Sequence, residues 1–134
     1  MLVALLALVG CVRTATVEPA QPAGPALVLD VANGSSEERL AGYDWEGLAG
    51  AGSGEGTVLG CERAVMTFGE VGGTFSAHID GGTVFEGNVP SNARAGRFLV
   101  VRIAIAADGS VTVAPPTLLA RIPEPPSGPI AGCG

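Results

Sequence analysis

Through the middle of the chain, apolar and polar positions alternate with a period of two. Leu27, Leu29 and Val31 alternate with Val28, Asp30 and Ala32, and Asn33-Gly34 then supplies a turn signal. Ala41, Tyr43 and Trp45 alternate with Gly42, Asp44 and Glu46. Phe75, Ala77 and Ile79 alternate with Ser76, His78 and Asp80, and Asp80-Gly81-Gly82 turns the chain into Thr83-Val84-Phe85. The longest run is 97–106. It puts Leu99, Val101, Ile103 and Ile105 on one face and Phe98, Val100, Arg102 and Ala104 on the other. Asp108-Gly109 turns it into 110–113. No stretch carries a helical period with caps. Residues 58–68 read as a strand, with a helical turn as the alternative.

Proline sets the limits of this region. One cluster holds Pro19, Pro22 and Pro25, and another runs from Pro115 to Pro129, with only Pro90 between them. Proline has no backbone donor and is kept out of central strands. The sheet-forming domain is therefore placed at 26–114. Residues 11–25 read as a tether, and 115–134 as an extended, irregular tail. About seven short strands with closely spaced turns predict an all-β fold, an antiparallel β-sandwich that is immunoglobulin-like in a loose sense. A small open barrel is the alternative. The opening strand, Asn-Gly turn and second strand resemble the first hairpin of many exported bacterial sandwich domains. The antibody-type Cys…Trp…Cys order is absent, because Trp45 precedes Cys61.

The N-terminus reads as an address. Leu2 to Val9 is an unbroken apolar run of eight, where a membrane-spanning helix needs about 20. Leu8-Val9-Gly10-Cys11 ends it. This resembles the lipobox of bacterial lipoproteins, and the resemblance covers only the first eleven residues. It implies a signal peptide over 1–10, cleavage before Cys11, and a diacylglyceryl group on the Cys11 thiol. Two or three acyl chains suffice for stable attachment. The protein would then be exported and held at the cell membrane or outer membrane, with its domain outside the cytoplasm. No Lys or Arg precedes the run, so either the signal is unusually short or the true start lies upstream.

The chain has 134 residues and a net charge of −6, from 13 acidic and 7 basic residues. That balance argues against nucleic acid as a partner. Every basic residue is Arg, so Lys-dependent Schiff-base and phosphate-gripping chemistry is excluded. With aromatics at 4%, the core must be built from Val, Leu, Ile and Ala. Of the three cysteines, lipidation would remove Cys11 and leave Cys61 and Cys133 for one internal bond. Two free thiols, or Cys133 bonded to a partner protein, are the alternatives.

No cofactor or metal site is expected. Gly47 to Gly56 lacks both dinucleotide and P-loop spacing and reads as a flexible loop. His78 is the only His, too few for blue copper or a four-ligand structural zinc site. Ser76, His78 and Asp80 would share one strand face about 7 Å apart, too far for a nucleophile–base contact. Tyr43 and Trp45 fit the core better than a carbohydrate- or peptide-binding surface. The four residues left for a binding surface are Tyr43, Trp45, His78 and Asp80. The expected function is a non-enzymatic envelope module that binds an unidentified envelope protein or small ligand. A small-ligand carrier or accessory subunit is the second reading, and a hydrolase the third.

Overall fold

The computed structural model describes residues 24–124 and 127–133. They form ten strands: β1 (Ala26–Asn33), β2 (Arg39–Gly47), β3 (Gly50–Val58), β4 (Glu62–Glu70), β5 (Thr74–Ile79), β6 (Gly82–Asn88), β7 (Phe98–Ile105), β8 (Val111–Val113), β9 (Thr117–Leu119) and β10 (Gly128–Pro129). A six-stranded sheet has the order β10-β4-β1-β7-β8, with β9 also paired to β7; a four-stranded sheet has the order β3-β2-β5-β6. The two pack face to face as a β-sandwich and do not close into a barrel. The segments read as a signal peptide (1–10) and, for the most part, as a tether (11–25), Cys11 included, lie outside the described residues.

Between the sheets the period-two reading holds. Leu29, Val31, Phe75, Ile79, Val101, Ile103 and Ile105 are all buried, joined by Leu27, Ala41, Tyr43, Val58, Val71, Ala77 and Leu99. One pairing departs from the antiparallel expectation: β1 and β7 run parallel over their full length. Both are central strands. Val28 and Val100, which face away from the core, are as fully buried as the residues facing it. A strand covered on both sides reads as a near-continuous apolar run, as β1 does over Ala26–Ala32 apart from Asp30.

The first connection is not a hairpin. β1 and β2 belong to different sheets, and Asn33-Gly34 starts a crossing between them. The buried Asn33 amide holds that crossing. Its Nδ2 donates to the carbonyls of Glu37 (2.8 Å), Leu59 (3.1 Å) and Val58 (3.3 Å). Its Oδ1 accepts from the amide and hydroxyl of Ser35. The side chain thus ties the β1–β2 crossing to the β3–β4 corner.

The glycine-rich stretch is a strand, not a flexible loop. β2 and β3 pair without interruption from Arg39↔Val58 to Gly47↔Gly50. Its glycines fall at every second residue and face inward. A Cβ at Gly52 would lie 2.5 Å from Trp45 Nε1, and one at Gly54 would lie 2.8 Å from the Tyr43 ring. A Cβ at Gly56 would lie 2.7 Å from the Met66 sulfur. The glycines leave the room that these large side chains fill.

The tail is also more ordered in its pairing than its prolines suggested. The sheet continues past Ala114 with β9 on β7 and β10 on β4. These strands sit at opposite edges of the six-stranded sheet. In the chain between them, Pro123 is buried while its neighbours Ile122 and Glu124 are exposed. Ser127 Oγ accepts from the Val65 amide at 2.8 Å, and Ile130 N–H donates to the Cys61 carbonyl. The Cys61–Cys133 disulfide then closes the tail onto the β3–β4 corner, with Cα atoms 5.4 Å apart. That distance lies within the range a disulfide spans.

Candidate functional site

The four residues singled out for a binding surface do not meet on one face. Tyr43 lies in the core, with its ring centroid 4.6 Å from that of Phe68. Burial raises its phenol pKa. Trp45 packs against the same core from its margin. His78 projects from the opposite, outer face of the four-stranded sheet.

On that outer face, pairing of β2 with β5 brings Asp44 beside Ser76 and Gly42 beside His78. Asp44 becomes the hub. Ser76 Oγ donates to Asp44 Oδ1 at 2.6 Å. His78 Nε2 lies 3.0 Å from Asp44 Oδ2; a carboxylate only accepts, so Nε2 carries the proton. Ser, Asp and His therefore come together with the carboxylate in the middle. Nucleophilic catalysis by such a trio needs the imidazole in the middle, in contact with the hydroxyl. This arrangement offers a hydrogen-bonding patch and no nucleophile–base bond.

Asp80 stands apart from this cluster. It occupies the turn between β5 and β6 in the left-handed region, with φ of 50°. Its carboxylate accepts from the Leu40 amide at 2.9 Å and from Arg39 at 3.0 Å. The Leu40 bond, then Arg39, hold its pKa below the usual carboxylate value. Its neighbours give it the role of joining the turn to β2.

Asp44, Glu46, Glu55 and Glu86 make the outer face acidic. Two open hollows lie along it. One of about 540 Å³ is lined by Asp44, Glu46, Ser76, Glu86 and Asn88; another of about 480 Å³ is lined by Gly42, Ser53, Glu55 and His78. Among the described residues no three of His, Cys, Asp and Glu gather as metal ligands would.

The outer face of the six-stranded sheet carries a site that sequence reasoning missed. Asp30, on central β1, is only 5% exposed. Arg63 on β4 grips it with two bonds, Nε to Oδ1 at 2.8 Å and Nη2 to Oδ2 at 2.7 Å. Arg102 on β7 approaches to 3.6 Å and also donates to the Thr117 hydroxyl. The Asp30 bond raises the Arg63 pKa further. Two guanidinium groups on one carboxylate leave a local positive excess in an acidic protein. A hollow of about 480 Å³ opens beside them, with Ala32, Ala104, Val113 and Ala114 in its lining. An isolated acid within β1's apolar run was the available signal, since a carboxylate on a central strand needs a cationic partner. The chain matches no protein-family model, no curated protein and no solved structure.

Proposed function

We propose that this chain is an exported lipoprotein, anchored through Cys11, whose sandwich is a non-enzymatic binding or structural module of the cell envelope. The observation that carries this reading is the Cys61–Cys133 bond. It uses two of the three cysteines and leaves Cys11, at the end of the apolar run, for the lipid. Structural disulfides belong to compartments outside the reducing cytoplasm. Residues 12–25 would hold the domain off the membrane.

The acidic outer face of the four-stranded sheet is the contact surface of this proposal. Its carboxylates and the Ser76–Asp44–His78 patch suit a cationic partner rich in hydrogen-bond donors. A small-ligand carrier is the second reading, favoured by the apolar-lined hollow beside Arg63 and Arg102.

Detergent phase partition tests the anchor. The mature protein should enter the detergent phase, and Cys11→Ser should stay unprocessed. A Cys11→Ser chain that is cleaved and membrane-bound as before would refute the lipoprotein assignment.

A further inference from the structure

The four-stranded sheet ends on β3, and among the described residues nothing pairs with its outer edge. Exposed edges are normally blunted by proline, by bulges, by shortness or by lysine. The other edges here use these devices. β6 has a bulge against β5 between Ala77 and His78, and Pro90 follows it. β8 and β9 are three residues each, split by Pro115-Pro116, and β10 has two residues, one of them Pro129. β3 has none of these features. It is nine residues long, pairs with β2 without a bulge, holds no proline, and carries Glu55 as its one charge.

Which backbone groups face the open side follows from β2. The Leu40 amide and carbonyl both engage Asp80, and the Glu46 carbonyl accepts from Thr74 Oγ1. Even-numbered residues of β2 therefore turn their main chain toward β5, and odd-numbered ones toward β3. In the β2–β3 register the odd positions of β2 oppose the even positions of β3. Ala51, Ser53, Glu55 and Thr57 are left with N–H and C=O pointing outward. Beneath this edge, Trp45, Met66 and Phe68 are half-buried, uncovered by any side chain from the glycines above them.

We propose that a second copy of this chain pairs with this edge, β3 against β3, antiparallel about a two-fold axis at Gly54. The strand is complementary to itself in that register and uses its whole length, with Gly50 opposite the partner's Val58. Ala51 meets the partner's Thr57, and Ser53 meets the partner's Glu55. All four outward-facing residues then exchange hydrogen bonds, and the Ser53 hydroxyl can donate to the opposing carboxylate. The inward positions at the centre of the seam, Gly52, Gly54 and Gly56, are glycine against glycine, with Gly50 against Val58 at each end, so the two backbones approach without crowding there. A two-residue shift in one direction sets Glu55 against its own copy, where like charges oppose pairing. A shift in the other direction shortens the ladder. The product is one continuous eight-stranded sheet. The partner's backbone would cover the half-buried Trp45, Met66 and Phe68. Both copies carry a charge of −6, so association should strengthen with salt.

Sedimentation equilibrium on the full chain in density-matched detergent tests this, with Cys11→Ser present to prevent disulfide exchange through that thiol. A reversible dimer is expected at concentrations up to about 100 µM. Ser53→Asp places a second acid opposite Glu55 twice per dimer and should weaken association roughly tenfold. Ser53→Arg creates two opposite-charge pairs and should strengthen it by a similar factor. In its own chain residue 53 opposes Asp44, so Ser53→Asp should also lower, and Ser53→Arg raise, the monomer's unfolding temperature slightly; association is therefore compared at a temperature where every variant is folded. A monomer throughout overturns the proposal. A dimer that both substitutions leave unmoved, or weaken alike, overturns it too, because the contact is then not β3 in this register.

Discussion

Glycine carries packing information in this protein that its lack of a side chain conceals. Gly54 sits where a methyl group would meet Tyr43 at 2.8 Å and Phe68 at 3.1 Å, whereas the exposed Gly69, near the end of β4, has nothing within 4 Å. Gly54→Ala should therefore lower unfolding stability by about 2 kcal/mol through overpacking. Gly69→Ala should be neutral or slightly stabilising, because alanine narrows the unfolded ensemble at a site with room for it. Urea denaturation of the two variants side by side decides this; equal effects would show that the inward stripe is not packed as described. Asp80 gives a pH test at the same scale. Its folded pKa lies below its unfolded value, so its contribution is complete above the ordinary carboxylate range and is lost as pH falls through the folded pKa. Asparagine tolerates the left-handed backbone found there, so Asp80→Asn removes the charge and spares the turn. The variant should be less stable at neutral pH, and its stability should fall less between about pH 5 and pH 2. Equal acid sensitivity in both proteins would mean that the carboxylate bonds to Leu40 and Arg39 contribute nothing.

At the scale of elements, legibility followed the size of the alternating side chains. β1, β2, β5 and β7 were readable because large apolar residues alternate with polar or small ones. β3 was not, because glycine alternating with alanine, serine and glutamate produces no hydrophobic signal. Its period of two becomes meaningful only once Tyr43 and Trp45 are known to lie beside it. β9 and β10 were hidden by their shortness and by the prolines around them. The Asp44 hub depends on the β2–β5 register, which no single strand contains. Asn33-Gly34 looked like a hairpin turn because the same side chain that favours a turn can also bridge carbonyls on other segments. The disulfide is the element-scale feature with the clearest consequence. Opening a bridge between residues 72 apart should lower stability by about 4 kcal/mol in the chain-entropy account. It should also release β10, which has only two paired residues. Limited proteolysis of Cys133→Ser should cut first within 120–134, leaving the rest of the sandwich intact. Cleavage that begins instead in β1 or β7 would show that the tail does not depend on the bridge.

For the whole molecule, a sandwich stapled by Cys61–Cys133 is joined, in the proposed reading, to a lipid anchor at Cys11. Few aromatic residues leave a core made mostly of aliphatic side chains. Burial extends beyond the space between the sheets, to Val28 and Val100 on the far side of the central strands and to Pro123 in the tail, whose cysteine closes on Cys61. Both the staple and the proposed anchor require export, so one protein species should carry both marks. Mass spectrometry of the unreduced protein purified from membranes tests this most directly. The account predicts an N-terminal peptide beginning at Cys11 and bearing at least two acyl chains, together with a Cys61–Cys133 crosslinked peptide and no alkylatable thiol. A chain that still carries residues 1–10, with Cys11 unmodified and Cys61 and Cys133 free, would contradict it.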